Sequence, residues 1–296
     1  MKELVVISGK GGTGKTSITA AFASLAQNAV LADCDVDAAD LHLVLDPKVK
    51  QDSDFSGGRQ AAIITQKCVG CGRCAKMCRF GAIKLNGPAN ELVAKTYTVN
   101  PISCEGCKVC VEFCPFDAIS FEPAINGSWF ISDTRFGPMV HAKLGIAEEN
   151  SGKLVTLIRK EAKKIAEHQH RNLLIVDGSP GIGCPVIASI TGSDLVLVVT
   201  EPTLSGRHDL ERVAQLTSSF GIKTLVCVNK ADINPVMTSS IAAYAGEHGL
   251  EIVGEIPYDD AFTEAQIKKE TLVEYTDGGA TETIKDMWRK IVYELA

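Results

Sequence analysis

No apolar run in this 296-residue chain approaches the ~20 residues that a bilayer-spanning helix requires. There is no excess of positive charge either. Thirty Lys+Arg stand against 36 Asp+Glu, a formal net charge of −6, which argues against a nucleic acid held by bulk electrostatics. Met1-Lys2-Glu3 runs directly into the strand-like LVVIS, leaving no room for a signal peptide. The six histidines are scattered without metal-ligand spacing. Cysteine is scarce outside one stretch: of 11, eight lie between Cys68 and Cys114, and only Cys34, Cys184 and Cys227 lie elsewhere. These absences predict a cytoplasmic protein with no nucleic-acid partner and no stable membrane association. A disulfide scaffold suits a short secreted chain, so the clustered cysteines read as metal ligands.

What is present is an ordinary globular composition, 45% hydrophobic and 22% charged, in a chain long enough for two domains or one with an insert. Residues 4–8 predict a strand, 9–14 a glycine-rich loop, 16–26 a helix, and 29–32 a second strand ending in the acidic loop 33–40. That order opens a parallel α/β sheet. Residues 47–66 are polar and read as a linker, after which the cysteine block extends to about Pro123. The α/β rhythm then resumes, with helices expected at 154–169 and 205–220 and strands at 172–176, 194–200, 224–228 and 252–256. Leu, Ile and Val in unalternated runs suit strands covered on both faces. The expected architecture is one mostly parallel sheet built from residues 1–58 and 126–296, interrupted by a module at 59–125.

Gly9-Lys10-Gly11-Gly12-Thr13-Gly14-Lys15-Thr16, followed by Ser17, fits the phosphate-binding pattern G-x-x-x-x-G-K-[ST]. Glycines let backbone N–H groups face phosphates at the positive end of the next helix. Lys15 can reach the β/γ-phosphates and the Thr16 hydroxyl can ligate Mg²⁺. With the extra Lys10, the loop resembles the deviant Walker A motif of the MinD/ParA-type P-loop ATPases, which include the nitrogenase iron protein. The resemblance covers nearly all of residues 1–46 and 126–296. It implies an α/β P-loop NTPase fold, bound ATP and Mg²⁺, and a nucleotide-sandwich homodimer in which Lys10 reaches the partner's phosphates. It also implies that Asp35 orients the attacking water, that Asp177 supports Mg²⁺ through water, and that the Gly181 amide senses the γ-phosphate. The plainer reading of Asp33 and Asp177 is strand-end capping. Asn229-Lys230-Ala231-Asp232 fits N-K-x-D, which reads guanine through the Asp in GTPases. In the MinD type the Asn contacts adenine and Pro257 with its neighbours closes the pocket. Lys10 favours ATP, and GTP is the alternative.

KCVGCGRCAKMCRFGAI (67–83) and SCEGCKVCVEFCPFDAI (103–119) align without gaps at an offset of 36 residues. Both runs read C-x₂-C-x₂-C-x₃-C, through Cys68, Cys71, Cys74 and Cys78, and through Cys104, Cys107, Cys110 and Cys114. Over residues 62–123 this resembles a bacterial two-cluster ferredoxin, a small α+β fold with two 4Fe–4S clusters. The resemblance implies that the fourth cysteine of each run crosses over. One cluster takes Cys68, Cys71, Cys74 and Cys114, and the other takes Cys104, Cys107, Cys110 and Cys78. The first run departs from the pattern in ending Cys78-Arg79 instead of Cys-Pro. Residues 67–84 hold five bases and no acid, whereas 85–125 hold two lysines and five acids. The basic half either docks an acidic redox partner or is simply solvated.

Other signals point to packing. Cys184 lies where the nitrogenase iron protein carries a bridging-cluster ligand, but residues 126–176 lack the second cysteine such a site needs, so Cys184 is expected to be buried, as are Cys34 and Cys227. Ile284, Met287, Trp288, Ile291, Val292 and Leu295 form a helical apolar stripe in a segment of balanced charge, expected to pack on its own domain. Lys153, after a polar turn at 149–152, is a solvated cap or a phosphate or partner contact. Three functions are compatible with these signals: an ATPase coupling a nucleotide-driven dimer switch to electron transfer toward an unidentified redox or regulatory partner; a redox-sensing or assembly ATPase with structural clusters; or a cluster carrier. The missing C-terminal C-x-x-C of Mrp-type carriers argues against the last.

Overall fold

Strands made only of Leu, Ile, Val and Ala can be buried only between two layers, and in the computed structural model of this chain they form the middle of a sheet. The structure describes residues 1–145 and 151–296. Along the chain come β1 (Lys2–Ser8), α1 (Lys15–Leu25), β2 (Ala29–Asp33), α2 (Leu41–Leu45) and β3 (Lys48–Phe55). The cysteine-rich segment holds β4 (Gly58–Ile63), α3 (Arg73–Met77), β5 (Ile83–Lys84), β6 (Thr98–Val99), α4 (Val109–Glu112) and β7 (Ile119–Ala124). There follow β8 (Gly127–Thr134), β9 (Gly137–Leu144), α5 (Ser151–His168), β10 (Leu173–Pro180), α6 (Cys184–Ile190), β11 (Leu195–Thr200) and α7 (Leu204–Ser219). The last elements are β12 (Lys223–Asn229), α8 (Pro235–Glu247), β13 (Glu251–Ile256), α9 (Ala261–Ile267), α10 (Leu272–Tyr275) and α11 (Gly279–Leu295).

Nine strands form one sheet in the order β13-β12-β11-β1-β10-β2-β9-β8-β3. Every neighbouring pair from β13 through β9 is parallel, so the α/β reading holds. Register decides which side chains meet at the strand ends. Val6 pairs with Asp177 and Asp177 with Asp33, which sets two carboxylates side by side at the carboxyl ends of adjacent strands. Leu4, Leu31, Ile175, Leu197 and Leu225 lie in a core shared with Phe22 of α1 and with Ile284, Met287 and Ile291 of α11. The C-terminal stripe therefore packs on its own domain, except that Val292 stays 46% exposed.

The chain divides into two compact units. One is Met1–Ser53, Trp129–Lys143 and Ser151–Ala296; the other comprises Asp54–Ser128 with Leu144 and Gly145. In the second unit β4 pairs antiparallel with β7, from Gly58↔Ala124 to Ile63↔Ile119, and β5 with β6. The internal repeat is visible in it: a 3₁₀ turn (Thr65–Lys67, Pro101–Ser103), a short helix (α3, α4) and a strand (β5, β7) recur in the same order.

The linker expected at 47–66 is corrected, because β3 and β4 occupy most of it. β3 lies at the sheet edge with nearly every side chain exposed, so its polar, charged sequence carries no apolar signal while its backbone still pairs. The β8–β9 strands, joined across Arg135 and Phe136, had no sequence expectation. The polar turn expected before Lys153 lies largely outside the described residues, and Lys153 itself falls in the first turn of α5. No helix among the described residues is long and apolar enough to cross a membrane.

His141 of β9 is buried, 2.9 Å from Ser132 Oγ through Nε2, with the Phe130 ring at 5.0 Å and His42 at 6.2 Å. Burial, aided by nearby His42, pulls its pKa from 6.5 down to about 4. The folded chain therefore binds fewer protons than the unfolded one between these values, and stability falls as pH drops through that window. Acidification from pH 7 to 4 should lose about 1–3 kcal/mol through this one group. His141→Gln, which keeps a partner for Ser132, should show a smaller loss by thermal or urea denaturation. An unchanged pH profile would refute this role.

Candidate functional site

The loop leaving β1 turns at Gly12 (φ 81°) and Gly14 (φ 88°), both left-handed, and Gly14 caps α1. A side chain at Gly14 would also meet Asn229 Nδ2 at 2.4 Å, so glycine is required there twice over. Asn229, at the end of β12, donates from Nδ2 to the Thr13 carbonyl at 2.8 Å. Lys230 reaches back to the Gly12 carbonyl at 3.3 Å. The end of β12 thereby holds the loop over a cleft of about 490 Å³.

At its floor, Lys15 Nζ donates to Asp177 Oδ1 at 2.7 Å and lies 3.3 Å from Asp35 Oδ2. Thr16 and Thr19 hydroxyls donate to the same Asp177 carboxylate at 2.7 and 3.0 Å. Asp33 beside it is fully buried and accepts the Asp35 and Leu41 amides at 3.2 Å. Burial raises the Asp33 carboxyl well above its ordinary range, reinforced by Asp177 and opposed by Lys15. Asp35 is raised by burial and by Asp177 against the pull of Lys15. Burial lowers Lys15, but Asp177, Asp35 and Asp33 together outweigh it, and its pKa ends raised. Asp35 lines the cleft, and its Oδ1 is buried without a hydrogen-bond partner among the described residues. A triphosphate entering here must draw Lys15 from these carboxylates, and a magnesium ion must draw Thr16 from Asp177. A cation on a flexible stem and a hydroxyl beside a carboxylate suit that exchange.

Of the expected nucleotide residues, Gly11, Gly12, Thr13, Gly14, Lys15, Thr16, Ser17, Asp35, Asn229, Lys230 and Pro257 line this cleft. Gly9, Lys10, Asp177 and Gly181 do not. Gly9 lies against Asp209 of α7. The Gly181 amide donates to the Ser8 carbonyl at 2.8 Å and is already engaged. Lys10 points to the segment after β11, with Nζ 2.5 Å from Glu201 and 3.0 Å from Ser205 Oγ. Asp232, which would distinguish guanine, is not in the lining and accepts the Tyr258 amide at 2.6 Å. The sequence reading missed Tyr258, Phe262, Thr263 and Gln266, which line the cleft opposite the loop, because nothing in a short helix after a strand marks a base pocket.

A glycine loop between a central parallel strand and a helix, with its lysine against a carboxylate on the adjacent strand, defines a P-loop nucleotide-binding protein. The model of the CobQ/CobB/MinD/ParA nucleotide-binding domain (CbiA) matches residues 4–273, and the chain belongs to that family. It is a P-loop ATPase of the MinD/ParA type. Protein MJ0578 of Methanocaldococcus jannaschii is 33% identical over 293 residues, 98% of this chain and 96% of that one. The fold is similar to the Pyrococcus furiosus cell division ATPase MinD, at 15% identity and TM-score 0.57 over 99% of this chain and 98% of that one. It is also similar to the septum site-determining protein MinD complexed with Mg-ADP from Pyrococcus horikoshii, at 15% identity and TM-score 0.56 over 98% and 95%.

In the second unit the eight cysteines fall into two groups. Cys68, Cys71, Cys74 and Cys114 line one small cavity; Cys78, Cys104, Cys107 and Cys110 line another. Cys74 is pushed up to about 11 by burial and then by Cys68, Cys71 and Cys114 around it. Cys110 is raised by burial and by Cys104, Cys107 and Cys78. Four thiols packed this way repel as thiolates unless a positive centre holds them. Among the described residues no three metal-ligating side chains converge as a single ion would need. A cubane cluster differs in placing its four sulfurs at separate iron corners. Cys184 departs from expectation: it is exposed in the first turn of α6, because Val186 and Ile190 take that helix's buried face. Cys34 and Cys227 are buried as expected.

Lys15→Ala should abolish measurable ATP binding and also destabilise the chain without nucleotide, since it strands three buried carboxylates. The loss should be about 3–5 kcal/mol at pH 7.5. It should shrink as pH falls and the raised Asp33 and Asp35 carboxyls take up protons. A destabilisation independent of pH in calorimetry would show that charge is not its cause.

Proposed function

We propose that this ATPase couples a nucleotide-driven homodimer switch to electron transfer through two 4Fe–4S clusters held by its inserted cysteine unit. The observation that carries the reading is the grouping of eight cysteines into two sets of four, each completed by the last cysteine of the other repeat. Cys68, Cys71, Cys74 and Cys114 would hold one cluster, and Cys78, Cys104, Cys107 and Cys110 the other. Bound there, such clusters supply one-electron redox chemistry. One backbone amide reaches the site: Ala118 N–H donates to Cys114 Sγ at 3.4 Å.

On the nucleotide side, Lys15 would bind the phosphates, Thr16 the magnesium ion, and Asp35 the attacking water, with its unpartnered oxygen as acceptor. Asn229, Lys230 and Pro257 would enclose adenine; the engagement of Asp232 by Tyr258 supports ATP over GTP. Lys10 would leave Glu201 and complete the partner's site across a sandwich dimer. Leu204, 79% exposed between the two residues that hold Lys10, suits burial in such an interface. The Mg-ADP complex of the Pyrococcus horikoshii relative agrees with a magnesium nucleotide here.

Two experiments test the halves separately. Lys10→Ala should keep much of its nucleotide binding yet lose hydrolysis and ATP-dependent dimerisation, and Asp35→Ala should be inactive. Their heterodimer retains one site with both groups, so mixing should restore partial hydrolysis. Full activity of Lys10→Ala alone would discard the sandwich. Purified without oxygen, the chain should carry about eight irons, and Cys78→Ala should spare the cluster of Cys68, Cys71, Cys74 and Cys114. Stoichiometric zinc without visible absorption would sink the cluster reading.

A further inference from the structure

The two cysteine sites share ligands, spacing and local elements, but their surfaces are opposite in charge. Around the first repeat Lys67, Arg73, Lys76, Arg79 and Lys84 are all exposed, and none makes an ion pair among the described residues. At the equivalent places in the second repeat, 36 positions on, Lys76 becomes Glu112, Arg73 becomes Val109 and Arg79 becomes Pro115. Glu105 and Asp117 add further exposed acids there. Its one cation, Lys108, is taken by Glu112 at 2.5 Å. The second repeat is an internal control: it carries the same cysteine spacing without these bases, so the spacing does not require them.

The basic repeat also contributes to a place where a cysteine site comes to the surface. Phe80 lines the cavity of Cys78, Cys104, Cys107 and Cys110 and is 50% exposed, and Met77, one residue before Cys78, is 38% exposed. Met77 follows Lys76 and Phe80 follows Arg79 in the chain, so exposed apolar side chains stand beside exposed cations, the mixture of apolar and charged surface that transient protein contacts use. Five exposed cations within residues 67–84, none of them in an ion pair among the described residues, steer a partner of opposite charge.

We propose that this face, centred on Cys78 and Phe80, docks a small acidic one-electron carrier protein of the iron–sulfur or flavin type. The inference rests on the proposed clusters and adds the class of partner. One electron passes from the reduced carrier to the site holding Cys78, the carrier is oxidised by one electron, and no covalent bond forms or breaks.

The test uses the full, iron-loaded chain and a chemically reduced plant-type [2Fe–2S] ferredoxin, itself acidic, as the probe. Complex formation is followed by calorimetry and oxidation of the ferredoxin by stopped-flow absorbance. Both should weaken about tenfold or more between low salt and 0.3 M NaCl. In Arg73→Glu/Lys76→Glu/Lys84→Glu they should fall at least about tenfold at low salt, with the milder Lys76→Ala/Lys84→Ala in between. Glu112→Lys/Asp117→Lys, in the second repeat and outside the lining of that cavity, should leave both unslowed. Iron content is assayed for each protein. Salt-independent exchange, or undiminished exchange in the iron-loaded triple variant, overturns the docking face while leaving the clusters intact. A chain that purifies without iron overturns the cluster reading and the electron exchange with it. Salt-sensitive self-association without ferredoxin, reversed by the same triple variant, would give the face to a second copy of this chain and overturn the proposal.

Discussion

The carboxylate of Asp177 accepts from Lys15, Thr16 and Thr19 at once, and its backbone carbonyl accepts the Cys34 amide. It lies on β10, between β1 and β2, so one residue, through its side chain and its carbonyl, ties the glycine loop, the first helix and the acidic loop after β2 to the middle of the sheet. Burying one charge there obliges the rest. Lys15 must pair with it, and Asp33, next to it in register, is driven toward its neutral form. The same geometry makes the site responsive, because a phosphate and a metal ion compete for the two groups that Asp177 now holds.

A second tension lies at Lys10. A lysine within the phosphate loop does not face the cleft but sits against Glu201, with Lys230 on the carboxylate's other oxygen. Glu201 thus balances two cations drawn from two different loops of the nucleotide site. Whatever moves Lys10 must supply an anion of comparable strength, and a nucleotide phosphate is one.

The inserted unit is held together differently. It has a small apolar centre, in which Cys74 and Cys110 pack with Ala61, Ile83 and Ile119. Its cysteines are both core and candidate ligands, so its stability and the occupancy of its sites are coupled. Duplication explains why the two halves share a backbone, and the charges on them are free to diverge because they are exposed.

Local rules were enough wherever the chain carries its signal in consecutive residues. The glycine loop, the buried strands 4–8, 172–176, 194–200 and 224–228, the two helices after Pro123 and the paired cysteine runs could all be read from spacing and apolar runs. The edge strand Lys48–Phe55 could not, because a strand with water on its side chains needs no apolar pattern, and its pairing depends on a neighbour some 80 residues away. Cys184 misled for the related reason that burial belongs to a helix's placement and not to a residue type. The sequence by itself determined which groups are candidates for the chemistry, since phosphate-loop and cysteine motifs are local in the chain. Only the tertiary structure decided which of them meet: that Asp177 and not solvent holds Lys15, that Glu201 holds Lys10, and that the Tyr258 amide engages Asp232. Those contacts join residues far apart in the chain, and strand register and packing alone set their distances.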